Sequence, residues 1–203
     1  MSTQSSKTAL RRRLRAQRNA LSAEDHKNAA HNLAVILANT HLFRVSRRIA
    51  CYFASDGEID PTGVLARIWA SGKSAYMPVL PRGRRRRMRF APARSGVELR
   101  PNRLGILEPV APEREWLDAR NLDLVLLPLV AFDPAGNRLG RGGGFYDRTF
   151  YFIHYQHHWH RPRLLGLAHD FQRVDAIEPD FWDVPLTGVI TDQATYLRTE
   201  NSE

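Results

Sequence analysis

The feature that most restricts how this chain can fold is the junction between its most apolar run and its most glycine-rich one. Residues 121–132 read NLDLVLLPLVAF, and residues 132–148 continue as FDPAGNRLGRGGGFYDR. The length and flanks of the apolar run suit a buried strand, covered on both faces, as in a parallel sheet. The second segment holds five glycines, three arginines and two aspartates. From Phe145 the sequence FYDRTFYFIHYQHH reads as a helix. A strand, a glycine loop and a helix in that order form the connection of an α/β protein. In open sheets of that class, ligands gather beyond the carboxyl ends of the strands.

The rest of the chain fits the same class. Residues 7–21 read as a basic helix with Leu10, Leu14 and Leu21 on one face. Ser22 opens SAED, with Asp25 three positions on, a capping box that starts a second helix through about Ala38. RRIACYFA reads as a strand and SDGEID as a turn. Asp60-Pro61 sets a capping acid before a first-turn proline, starting a helix to about Ala70 that Gly72 ends. SAYMPVL, MRFAPA, RLLGLAH and LTGVITD supply further strands. Alternating helices and strands over 203 residues, with no internal repeat or long linker, predict a single domain spanning residues 1–203.

Charge narrows the function. Residues 1–99 carry 19 Lys and Arg against 6 Asp and Glu, whereas residues 100–203 carry 11 against 15. The basic half invites an anionic partner, such as a nucleotide, a nucleic acid or a polycarboxylate. No apolar run approaches the length of a membrane span, so no membrane partner is expected. MSTQSSKTALRRRLR lacks the apolar core of a secretory signal; an organellar transit peptide is the weighed alternative to a cytoplasmic protein. Cys51, the single cysteine, sits in an apolar strand and reads as a core residue. HYQHHWH places His154 and His158 at i, i+4, a metal-ligand spacing, but an exposed helix end is the reading preferred.

The glycine loop has its own chemistry. Gly140, Gly142, Gly143 and Gly144 can present successive backbone N–H groups to phosphate oxygens. Arg138 and Arg141 add forked donors, and the following helix adds the positive end of its dipole. Asp147 has two readings, a ligand for nucleotide-borne magnesium and a plain first-turn acid. GxxxxGK[ST] is absent, and GRGGG does not make a dinucleotide fingerprint. The plain alternative is a tight turn between strand and helix.

FDPAGNRLGRGGGFYDR resembles the signature of the 5-formyltetrahydrofolate cyclo-ligase (5,10-methenyltetrahydrofolate synthetase) family, FD-x-x-G-x-R-L-G-x-G-x-G-[YF]-Y-D. Phe132, Asp133, Gly136, Arg138, Leu139, Gly140, Gly142, Gly144, Phe145, Tyr146 and Asp147 all match. KTALR, YFASDGEIDP, LGILEP and WDVPLTGVITD fall in the family's order, so the resemblance covers nearly the whole chain. There are departures. Pro128-Leu129 stands where the family often has Pro-Gly, Gly143 replaces a lysine found in some members, and the run Arg84, Arg85, Arg86, Arg87 is heavier.

The resemblance implies a three-layer α/β sandwich with a largely parallel central sheet flanked by helices. It implies ATP- and magnesium-dependent cyclisation of 5-formyltetrahydrofolate to 5,10-methenyltetrahydrofolate, through a phosphorylated formyl intermediate. Carried over, Lys7 and Arg11 contact ATP phosphates, and Arg138, Leu139, Gly140, Arg141, Gly142, Gly143, Gly144, Phe145 and Tyr146 wrap the triphosphate. Phe53, Glu58 and Leu104 line the folate pocket, Arg141 and Tyr146 lie near the reacting formyl group, and Asp147 and Asp183 serve magnesium. The basic surplus, not the resemblance, adds the expectation that Arg84 to Arg87 attract the glutamate tail of a polyglutamylated folate; a monomer is expected.

Two other functions compete with this one. Arg11, Arg12, Arg13, Arg15 and the Arg84 run form basic clusters that could track nucleic-acid phosphates, but few aromatics interleave them. A catalytically inactive member serving as a binding module would need a damaged loop, and this loop is intact.

Overall fold

The computed structural model of this chain describes residues 3–81, 87–155 and 161–198. Three helices come first, α1 (Thr3–Asn19), α2 (Ala23–Ala38) and α3 (His41–Val45). They are followed by β1 (Arg48–Ala50), α4 (Thr62–Ala70), β2 (Ser74–Val79) and β3 (Arg89–Pro92). A hairpin of β4 (Leu99–Pro101) and β5 (Leu107–Pro109) precedes β6 (Leu124–Pro128). A second small hairpin, β7 (Ala131–Phe132) and β8 (Arg138–Leu139), leads to α5 (Phe145–Phe150). The chain ends with β9 (Arg163–Ala168), β10 (Gly188–Thr191) and β11 (Thr195–Leu197).

Seven strands form one sheet in the order β11-β10-β9-β6-β1-β2-β3. The inner pairings are parallel, with Ile49 opposite Leu124 and Leu126 opposite Leu165, and only the edges β3 and β11 run antiparallel. The sheet is therefore largely parallel, as expected. From β1 the chain builds outward to β2 and β3, then returns to build the other way through β6, β9 and β10. The strand order reverses between β1 and β6, the switch point at which open sheets of this class hold ligands in a crevice beyond the strands' carboxyl ends.

Strand alternation sorts the core into two layers. Ile49, Leu124, Leu126, Leu165, Leu167 and Ile190 pack with Leu33, Leu37, Val64 and Ile68 from α2 and α4. Ala50, Val125, Leu127, Leu164 and Val189 pack with Phe90, Phe150 and Phe152 on the opposite face. Helix α1 makes a third cluster, where Leu10 and Leu14 meet Val130, Ala131, Leu139 and Ile177 at the carboxyl end of the sheet. Leu14 is 1% exposed, so truncation to Ala would cost about 2–5 kcal/mol and loosen α1 from that end.

Local signals mostly act as read. Ser22 Oγ accepts from the Asp25 N–H at 3.1 Å, and Asp25 Oδ2 accepts from the Ser22 N–H at 3.3 Å, closing the capping box. At α4 the proline sits one step earlier than expected. Pro61 is the cap residue, and Asp60 Oδ1 accepts from the N–H and hydroxyl of Thr62. The apolar run is not one strand, because Pro128 ends β6 and the chain leaves the main sheet before β7 pairs with β8. The expected long helix after the glycine loop is six residues of α5, then a 3-10 turn over Tyr151–Tyr155. His158 lies outside the described residues, as do Arg84, Arg85 and Arg86; Arg87 is exposed. Among the described residues no helix is long and apolar enough to cross a membrane.

Candidate active site

Two loops face each other across the crevice. One runs from β1 to α4 and carries Phe53 to Glu58; the other runs from β8 to α5 and is the glycine loop. Helix α1 and the segment before β10 border them.

The β1 loop turns at Asp56-Gly57, with the Glu58 N–H donating to the Ser55 carbonyl at 3.2 Å. Both central residues have positive φ, 59° and 70°, the mirror-image turn that Asp-Gly favours. The turn brings Glu58 back into the protein, where it is 7% exposed. Its Oε2 accepts from the Ser55 N–H at 3.1 Å, and its Oε1 lies 3.5 Å from an Arg141 amino group. Burial pushes the Glu58 carboxyl above its usual range, and the Arg141 charge partly opposes that rise. Phe53 is half-buried against the α2–α4 layer.

The glycine loop is held from both ends. Arg11 Nε donates to the Gly140 carbonyl at 2.9 Å, so the basic helix grips the loop's start. Gly144 caps α5 in the left-handed region at φ 60°. Arg141 reaches across the crevice, donating to Ser55 Oγ at 2.6 Å, and is 44% exposed. Arg138 behaves differently. It is buried, donating to the Val184 carbonyl and to Asp147 Oδ1. Leu139 is also buried, in the cluster with α1. Tyr146 lies nearly parallel to Phe150 with ring centres 6.3 Å apart, and burial raises its phenol pKa far enough to keep the proton. Phe145 packs on the same core face, under the Arg148 guanidinium.

The third segment carries Asp183. Asp180 and Asp183 close a turn in which each backbone N–H donates to the other residue, both at 2.9 Å. Lys7 Nζ pairs with Asp180 at 2.9 Å, and the Val184 N–H approaches Asp147 Oδ1 at 3.4 Å. Burial and the neighbouring Asp147 and Asp180 carboxylates raise the Asp183 pKa. Among the described residues no three His, Cys, Asp or Glu side chains gather as a metal cage. A pair of crowded carboxylates still suits magnesium, which takes few protein ligands and keeps water and phosphate oxygens.

Lys7, Arg11, Glu58, Arg138, Arg141, Asp147 and Asp183 thus belong to one bonded neighbourhood. Leu104 is not joined to it by these bonds: it is 56% exposed at the β4–β5 turn, its N–H donating to Asn102. Asp133, from the signature's Phe-Asp pair, is structural; its carboxylate accepts from the N–H groups of Asn137 and Ile177. Sequence reading missed Ser55 and Asp56, although Asp-Gly signals a turn, and it missed that the exposed Arg15 and the buried Arg18 both pair with Asp56.

Comparison with known proteins identifies the family. The model of the 5-formyltetrahydrofolate cyclo-ligase family matches residues 3–192. A 5-formyltetrahydrofolate cyclo-ligase of Escherichia coli strain K12 is 36% identical over 178 residues, spanning 88% of this chain and 96% of that protein. One from Haemophilus influenzae is 36% identical over 149 residues, 72% of this chain and 76% of that protein. The solution structure of Aquifex aeolicus 5,10-methenyltetrahydrofolate synthetase superposes with a TM-score of 0.81 at 25% identity, covering 97% of this chain and 95% of that one. With the glycine loop, the buried Glu58 turn and the seven-stranded sheet in place, the match runs through every part of the site, and the chain belongs to the 5-formyltetrahydrofolate cyclo-ligase family.

Proposed function

We propose that this enzyme closes 5-formyltetrahydrofolate to 5,10-methenyltetrahydrofolate at the expense of ATP, with magnesium. The observation that carries the reading is Arg141. It is rooted in the glycine loop yet bonded to Ser55 and paired with Glu58, so one guanidinium touches both halves of the crevice.

The reaction needs a formamide oxygen turned into a leaving group. The formyl oxygen attacks the γ-phosphorus, the bond to the β-bridging oxygen breaks, and ADP departs. N10 of the folate then attacks the activated carbon. The phosphate leaves with the formyl oxygen, and the N10 proton is lost. Phosphoryl transfer asks chiefly for in-line positioning and charge stabilisation, so no enzyme nucleophile is required.

Backbone N–H groups of Gly140, Gly142, Gly143 and Gly144 cradle the triphosphate, with Lys7 and Arg11 bordering it from α1. Arg138 supports this indirectly by holding Asp147 and the Val184 carbonyl. Asp147 and Asp183 would hold magnesium, whose charge would offset that of the phosphates. Glu58 accepts from the N–H groups of the pterin, and Phe53 and Leu104 border that ring. Tyr146 keeps its proton and so serves as a donor near the formyl oxygen, not as a base. Arg141 stabilises the charge that builds between formyl oxygen and γ-phosphate.

The test is an absorbance assay with 5-formyltetrahydrofolate, magnesium and ATP, following the longer-wavelength band of the methenyl product. ATP-dependent growth of the band, lost in Glu58→Gln and Arg141→Ala, is expected. Folded wild-type protein that leaves the substrate unchanged would refute the reading.

A further inference from the structure

Asp56 belongs to no part of the mechanism above, yet three arginines converge on it. Arg15 Nε donates to its Oδ1 at 2.8 Å. Its Oδ2 lies 3.4 Å from an Arg18 amino group and 3.8 Å from an Arg141 amino group. Arg15 and Arg18 come from α1, and Arg141 comes from the glycine loop. Arg18 is buried to 1% exposure, with Nε unpartnered and another amino group 3.4 Å from the Leu129 carbonyl. The single Asp56 carboxylate is thus the point where the basic helix, the β1 loop and the glycine loop are tied together.

The backbone fixes that carboxylate in place. Asp56 is the one non-glycine residue with positive φ among the described residues, a conformation Asp tolerates better than most. Gly57 has no alternative. A Cβ there would stand 2.6 Å from Asn19 Oδ1 and 3.0 Å from Arg18 Cβ. The turn is wedged against the end of α1, which sets its tip beside the three guanidinium groups.

We propose that Asp56 is a positioning residue that holds Arg141 toward the Glu58 side of the crevice and tempers the positive field in which the triphosphate binds. This rests on the ATP reading given above. The two effects pull affinity and turnover in opposite directions. Removing the carboxylate leaves Arg15, Arg18 and Arg141 less compensated, so a polyanion binds more tightly. The same change frees Arg141 from one of its three partners on the β1 turn, so the formyl group and the phosphate are less well aligned. Damage to the fold would instead weaken binding and turnover together.

Asp56→Asn keeps a side chain that accepts positive φ and removes only the charge; Asp56→Gly keeps the turn and removes the whole side chain. Titration calorimetry with ATP and with inorganic tripolyphosphate is paired with steady-state kinetics, and thermal melts check folding. Both variants are expected to bind the two polyanions about fivefold more tightly, from loss of one nearby negative charge. Their kcat should fall about tenfold, a pattern of lost alignment with retained binding. Raising the salt concentration should shrink the affinity gain. Wild-type protein that binds neither polyanion would sink the ATP reading itself. Wild-type binding, with folded variants that bind equally or more weakly or that turn over normally, would overturn the role of Asp56 alone. If Asp56→Asn does not fold, Asp56→Gly decides.

Discussion

Arg138 and Asp147 are bound to each other beneath the glycine loop, and the same guanidinium also holds the Val184 carbonyl. An arginine that looks like a phosphate ligand in the sequence is therefore a strut between the loop, α5 and the Asp183 segment. Asp147 carries two duties, one to the fold and one proposed for magnesium. Asp147→Ala leaves a buried guanidinium with no carboxylate and only the Val184 carbonyl to bind, and should cost about 2–4 kcal/mol. Asp147→Asn, which keeps an acceptor oxygen, should melt close to wild type and still lose magnesium-dependent turnover. Equal melting temperatures for Asp147→Ala and wild type would show that the pair is not structural.

Gly188 opens β10 where edge strand β11 lies across it. A Cβ there would meet the Tyr196 carbonyl oxygen at 2.5 Å. Gly188→Ala should push β11 outward at a cost of about 1–3 kcal/mol. Gly188 lies away from the crevice loops, so turnover at low temperature should hold while the melting temperature drops. A variant as stable as wild type would mean that the edge gives way freely.

His169 gives stability a pH dependence. It is buried, its ring stacked on Phe171. Burial, with His26 and Arg18 nearby, lowers its pKa from 6.5 to about 4, while Asp192 and the Gly57 backbone pull the other way. The folded state thus binds fewer protons than the unfolded one between those values. Stability is full above pH 6.5 and falls as pH drops toward 4, by on the order of 3 kcal/mol. His169→Asn should flatten that part of the curve in denaturant titrations. An unchanged slope would assign the acid sensitivity elsewhere.

Trp182 is 47% exposed, lies edge-on to Phe181 and precedes Asp183. Binding of magnesium and a nucleotide at Asp183 should change its fluorescence, and Trp182→Phe should remove that component while other tryptophans still report unfolding. An identical response in Trp182→Phe would place the ligand away from this turn.

The sequence revealed what nearest neighbours decide. Ser22 and Asp25 announced the cap of α2, the apolar run announced the buried centre of the sheet, and the glycines announced the loop beyond it. Pro128 was less readable, since a proline within an apolar run marks a strand end only when its partners are known. The β4–β5 hairpin carries no strong alternation and went unseen. The site was half legible. Arg141 pairs with Glu58, Arg11 holds Gly140 and Lys7 pairs with Asp180, but all arginines look alike in a sequence. Which of them are buried struts, as Arg18 and Arg138 are, depends on carboxylates brought near by the fold. Asp56 meets Arg141 only because β1 and β6 lie side by side, a relation that no local pattern encodes.

That adjacency has an evolutionary consequence. With the strand order reversing between β1 and β6, each wall of the crevice is encoded in a separate stretch of the chain. On the proposed reading, one stretch recognises the formyl-bearing folate and the other the phosphoryl donor. Mutation can remodel either wall without rewriting its counterpart, and Arg141 is the point on which both must agree. An enzyme of this architecture that adopted a different formamide would change the loop after β1 and keep the glycine loop intact.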